Sequence, residues 1–244
     1  MLKLHITIQL FQEVWYNITM TAARTLANLT ALNASALTNV DINSTSSSNT
    51  PLIVDAASGQ SVDLAQFRNS SGTVLSRVNS AGQFVSPGNT VQLINVRSDA
   101  LLTYSFSTGN GTEISALNMT ITPKYANSKL LIQWELGYES NYNGAIVVWK
   151  NGSIMSNGYN TVVGNQSYSG YAATAYDGGD VASTPNRTTI TFIDSPGVTT
   201  ATTYSLAVRS HEASTFKLNQ AFSNAGASAY ENQVSLGYIM EIAQ

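Results

Sequence analysis

Short stretches in which apolar and polar residues alternate, separated by clusters of Gly, Pro, Asn, Asp and Ser, recur along most of this chain. That two-residue period is the signature of half-buried β-strands rather than helices. From residue 89 onward it predicts strands over 91–97, 102–107, 113–122, 129–138, 144–150, 187–193, 202–210, 215–223 and 234–242. One pair is written as a hairpin or sandwich corner: Arg187–Ile193, a turn at Asp194-Ser195-Pro196-Gly197, then Thr202–Ser210. Many short strands with turn signals between them predict an all-β head, a β-sandwich of the jelly-roll type.

The last strand is predicted to be an interior one, because Gly237–Ala243 is apolar and β-prone, and a chain end frays unless something ties it down. Its alternation places Tyr238, Met240 and Ile242 on one face, expected to be mostly buried. Ile239 is expected to be buried on the opposite face against a partner or a second sheet. Tyr204, in the preceding hairpin, joins these three as a candidate core or intersubunit residue.

Upstream the pattern changes twice. Leu2, Leu4, Ile6, Ile8 and Leu10 alternate with polar residues, unlike the continuous apolar core of a secretory signal, and Met20 reads as naturally as Met1 as a start. Residues 21–43 space their leucines roughly helically among weak helix formers, so a short anchoring helix and a polar leader both remain open. Asn43–Thr50 is a Ser/Thr/Asn linker by composition. Residues 51–86 then read as short strands around Leu52–Val54, Val62–Phe67, Thr73–Val78 and Gln83–Val85, joined by turns at Gly59, Gly72 and Gly82. None of these is long enough to bury its own face, so one copy lacks a core and winding with other chains would supply it. The expected organisation is a leader and linker (1–50), a short intertwined β stalk (51–88) and a jelly-roll head (89–244).

Composition narrows the function classes. Only 10% of residues are charged, far below the usual quarter or so, while 43% are hydrophobic, which argues against general disorder. Eleven scattered basic residues and a net charge of −3 leave no basic stripe for nucleic acid. With no cysteine there is neither a disulfide framework nor a thiolate metal site. No apolar run is long enough to insert across a membrane as a helix.

Catalytic chemistry finds little to work with. His5 lies in the leader, and His211-Glu212 follows a strand, where a solvated turn is its natural place. No nucleophile elbow accompanies the abundant serines. Glu135 and Glu139 share a strand face but need only surface charge to explain them, and paired-carboxylate glycosidase chemistry is not expected. Asp177-Gly178-Gly179-Asp180 offers two carboxylates on a tight loop, without the alternating ligands and distal Glu of a calcium loop. The expectation is no enzyme, no metal and no cofactor.

One segment does carry a binding vocabulary. Six of the twelve tyrosines are Tyr138, Tyr142, Tyr159, Tyr168, Tyr171 and Tyr176, and no basic residue falls between Lys150 and Arg187. Tyrosine among Ser, Gly and Asn is the composition of binding loops, where rigid rings supply contact area and small polar groups adapt. Tyr159, Tyr168, Tyr171 and Tyr176, with Asp177 and Asp180, are therefore the candidate receptor contacts. Rings that simply cover a sandwich edge or pack between subunits are the competing reading.

The string Ala57–Leu75 followed by Val78–Phe84 resembles a stalk element of bacteriophage tail fibres and related virion appendages. Thr122–Ile132, Lys150-Asn151-Gly152, Phe192–Gly197 and Ile239–Ala243 resemble the C-terminal heads of marine, cyanophage-type structural proteins. Those heads are similar to trimeric tumour-necrosis-factor-like and complement-type jelly rolls. The resemblance implies a homotrimer in a virion, joined to other virion proteins through its N-terminal segment, with a head that contacts a host-surface glycan or protein. A capsid decoration or spacer without a ligand, and a bacterial surface lectin or adhesin, are the alternatives.

Overall fold

The structure is a computed structural model that describes residues 47–48, 50, 52–106, 109–158, 169–174, 185–223 and 231–244. The chain divides into two compact units, Met1–Asp55 and Ala56–Gln244. The leader expectations and most of the tyrosine-rich excursion fall outside the described residues. In the first unit, Leu52–Asp55 is exposed and belongs to no strand, where the sequence predicts one.

The second unit begins with a small antiparallel sheet, β1 (Ala65–Arg68), β2 (Val74–Val78) and β3 (Phe84–Val85), in the order β1-β2-β3. The same turn connects both pairs. Asn69 Oδ1 accepts the backbone N–H groups of Ser71 (3.1 Å) and Thr73 (2.8 Å), and Asn79 Oδ1 does the same for Ala81 (3.0 Å) and Gln83 (2.9 Å). Gly72 and Gly82 complete these turns at φ of 84° and 77°, which L side chains rarely adopt.

The head is the predicted sandwich. Its main sheet runs β4 (Thr90–Ser98), β15 (Ser235–Ile242), β8 (Lys129–Ser140), β14 (Ser214–Leu218) and β5 (Leu102–Phe106). β12 (Asn186–Asp194) lies on the other side of β8, since Tyr138 pairs with Asn186 on one side and Leu218 on the other. The second sheet is β10 (Ser153–Ile154), β9 (Ala145–Lys150), β13 (Thr202–Arg209) and β6 (Thr112–Glu113), with β7 (Met119–Ile121) also on β13 and β11 (Ala172–Ala173) on β9. The strand predicted over 113–122 is broken by a 3-10 turn at Ser115–Leu117. Ile114, just before that turn, and Leu117, its last residue, are both fully buried, so the turn drives two apolar side chains inward where a straight strand would turn one outward. The strand predicted over 215–223 ends at Leu218, beyond which Asn219 takes a left-handed φ of 63°.

The core lies between the two sheets. Leu130, Ile132, Trp134, Leu136 and Tyr138 of β8 meet Ile146 and Val148 of β9 and Tyr204, Leu206 and Val208 of β13, all essentially inaccessible. Trp134 Nε1 donates to the carbonyl of Leu117 (3.1 Å), which satisfies its one polar atom. Gly237 opposite has no side chain for a steric reason: a Cβ there would come within 2.8 Å of the indole.

The terminal strand is central, as expected, paired along its length with β4 and with β8. Ile239 is buried against the second sheet, as expected, but the face of Tyr238, Met240 and Ile242 is not the mostly buried one. Ser235, Gly237, Ile239, Glu241 and Ala243 point into the sandwich, and Tyr238, Met240 and Ile242 lie half-buried on the outer face. The expectation followed apolar bulk, whereas the core at this strand accepts a glycine beside Trp134 and a hydrogen-bonded glutamate.

Candidate functional site

The outer face of the main sheet is where chemistry-bearing and apolar side chains gather with no further sheet above them among the described residues. Cross-strand register fixes the rows. Leu93 faces Met240, Met240 faces Leu131, and Leu131 faces Ile193, giving four apolar residues side by side across four strands. Leu93 is 58% exposed and Ile193 61%. The next row is Asn95, Tyr238, Gln133 and Thr191, in which Gln133 Oε1 accepts the Tyr238 hydroxyl (3.1 Å) and the Thr191 hydroxyl (3.4 Å). The third row is Arg97, Leu236, Glu135 and Thr189. Charges of both signs rim this end: Arg187 bonds Glu135 and Arg97 bonds Asp99, each at 2.7 Å. The Arg97 guanidinium, hydrogen-bonded to it, holds the Asp99 carboxyl below the usual carboxylate range. Leu93, Leu236, Tyr238 and Met240 line a shallow apolar groove on this face.

The small sheet is two-faced. Arg77 and Val85 face each other across β2 and β3, with Val85 buried and the Arg77 guanidinium 4.9 Å from the centre of the Tyr125 ring. Asn79 Nδ2 reaches the Tyr125 hydroxyl at 3.3 Å. On the other face Phe67 and Phe84 meet edge to face, with ring centres 6.3 Å apart, yet are 55% and 54% exposed.

Tyr125 is held in turn by the terminal strand. Glu241, fully buried, accepts the backbone N–H of Lys124 (2.8 Å), that of Tyr125 (3.1 Å), the Ser128 hydroxyl (2.6 Å) and the Gln92 side-chain amide. These donors leave its carboxyl oxygens satisfied, which is how a buried acceptor of this kind is tolerated.

Among the tyrosine-loop candidates only Tyr171 is described; Tyr159, Tyr168, Tyr176, Asp177 and Asp180 lie outside the described residues. Tyr171 donates its hydroxyl to the Thr191 carbonyl, and its ring meets Phe192 edge-on at 5.6 Å. It joins the edge of one sheet to the other while remaining 42% exposed. Tyr204 is a core residue whose hydroxyl donates to Asp194, itself 2.7 Å from Lys150 Nζ. Burial first, and the Asp194 bond second, push the Tyr204 phenol well above its usual range. This trio ties β12 to β9 and β13 across the sandwich.

Of the carboxylates and histidine weighed for catalysis, Glu135 pairs with Arg187, and buried Glu139 accepts the backbone N–H of Phe222. His211 lies 3.4 Å from Glu212 and against the Tyr142 ring. Among the described residues no three His, Asp or Glu side chains gather as a metal site. The outer-face residues Leu93, Leu131 and Ile193 were not singled out from sequence, though a signal existed. Leu130-Leu131-Ile132 and Phe192-Ile193 are apolar at both parities, which marks a strand covered on both faces.

No family model matches the sequence, and no curated protein matches it significantly. Solved structures that it resembles include one of the infectious bursal disease virus Gt strain, at 10% identity and a TM-score of 0.34, covering 66% of this chain and 40% of that one. The VP2 subviral particle of infectious bursal disease virus is similar at 13% identity and a TM-score of 0.29, again over 66% of this chain and 40% of the other. The chain spans about 40% of the length of these structures.

Proposed function

We propose that the chain is a non-enzymatic structural protein of a virion, a homotrimeric fibre-like appendage that carries a jelly-roll head on a short β stalk. The observation that carries the assembly is the small sheet. One of its faces is spent on its own head through Arg77, Val85 and Tyr125, while the other presents Phe67 and Phe84 to solvent. A sheet of three short strands with an aromatic pair exposed is not stable alone, and copies of the same chain have the same need. The virion setting is supported by the resemblance of Ala57–Phe84 to tail-fibre stalk elements.

Light scattering of the full chain should give three chains per particle, unchanged by reducing agents because there is no cysteine. Immunogold labelling of purified particles should place the protein on their surface. A monomer at micromolar concentration would remove the assembly, and absence from the particle would remove the virion role.

Host contact belongs to the tyrosine-rich excursion between Met155 and Val181. Tyr171 is tied to β12, so the informative variant leaves it intact and changes Tyr159, Tyr168 and Tyr176 to Ser. Folding and particle mass should stay unchanged while cell adsorption falls, at about 1 kcal/mol per stacking ring multiplied by threefold display. Normal adsorption by this variant would move recognition elsewhere.

A further inference from the structure

We infer that the outer face of the β4–β15–β8–β12 sheet is the surface that each head turns toward its neighbours in the trimer, with the row Leu93–Met240–Leu131–Ile193 at its centre. This rests on the homotrimeric reading above and adds which head surface is buried by it. An antiparallel sheet with a free face normally alternates apolar inward and polar outward. Here the outward positions of four adjacent strands are apolar at one level, and at a strand spacing of about 4.8 Å the row spans roughly 15 Å. Its two ends, Leu93 and Ile193, are the most exposed members, at 58% and 61%. On one side of this row the face carries Asn95, Gln133 and Thr191, with Gln133 accepting from Tyr238 and Thr191, and then the Arg97 and Glu135 charges. Polar groups therefore border the apolar patch there, as at a protein interface.

Two observations favour a second copy as the occupant. First, the rim charges are already paired within the chain, Arg97 with Asp99 and Arg187 with Glu135, so the face asks for no partner of one charge and a copy of this weakly charged chain suits it. Second, β4 follows the stalk sheet after only Ser86–Asn89, and this connection is pinned to the terminal strand. Gly88 N–H donates to the Ala243 carbonyl (2.8 Å) and Ala243 N–H to that of Asn89 (2.9 Å). Chains gathered by Phe67 and Phe84 therefore hold their β4 edges at high effective concentration, where even a modest apolar contact closes. The second sheet and its loops are left as the surface open to other partners.

The absence of cysteine makes any introduced thiol unique. Leu93→Cys and Ile193→Cys would be made separately in the full chain, with Thr120→Cys, exposed on β7 of the second sheet, as reference. Maleimide should label the first two roughly tenfold or more slowly than the reference in the native particle, as befits an interface core, and all three equally in urea. If both thiols react as fast as the reference while the particle still weighs three chains, the inference is wrong and the stalk alone holds the trimer. If the particle weighs one chain, the homotrimeric reading fails and this inference fails with it.

Discussion

Deleting Gly237–Gln244 should abolish soluble expression. The segment removes most of β15, which pairs with β4 on one side and β8 on the other, so its loss opens two strand edges in the middle of the main sheet. It also removes Ile239, fully buried among the core residues; emptying such a site costs about 2–5 kcal/mol on its own. Glu241 and the anchor of the β3–β4 connection at Ala243 go with it. Against a total stability of about 5–15 kcal/mol, the sum leaves no folded state to rescue. The check is the soluble yield and sedimentation of the truncated chain beside the full one. A truncated protein that folds and assembles normally would show that the strand is peripheral.

Replacing Glu241 by Ala should be the most damaging single change where the small β1–β2–β3 sheet meets the sandwich. Four donors converge on this carboxyl group: Gln92, the N–H groups of Lys124 and Tyr125, and Ser128. Removing it leaves one buried and three part-buried donors unpaired, at up to about 1–3 kcal/mol each, so a loss of roughly 3 kcal/mol is expected, or a Tm lower by about 10 °C. Glu241→Gln, which keeps the shape but brings an amide N–H₂ against donors, should fall between the two. Because Tyr125 carries the Arg77 and Asn79 contacts, the Ala variant should also become sensitive to proteolysis between Val85 and Thr90. Thermal melts and limited digestion measure both. An Ala variant that melts with the parent would mean that water replaces the carboxyl at no cost.

Local pattern carried much of the fold. Lys129–Ser140, Ala145–Lys150, Asn186–Asp194 and Thr202–Arg209 lie within a residue or two of the predicted strands, because alternation and turn residues are local properties that the pleat reads directly. The end of the chain was also legible as an interior strand. What the alternation could not say was which face of that strand is inside. A one-residue change of face is invisible to a period-two pattern when both faces carry apolar groups.

Position 237 shows why the answer was tertiary: only opposite Trp134 does a glycine, rather than an apolar side chain, complete the core. Glu241 is the same lesson in polar form, a carboxyl group that reads as outward-facing until Lys124, Tyr125 and Ser128 are brought round from more than a hundred residues away. The row Leu93–Met240–Leu131–Ile193 is likewise assembled from four separate segments. The class of fold, most strand positions and the scarcity of charge and cysteine were legible along the chain, all of them sums over neighbours. The sidedness of β15, the buried anchor beneath the small sheet and the apolar face were decided only in three dimensions, because each depends on register between strands far apart in sequence.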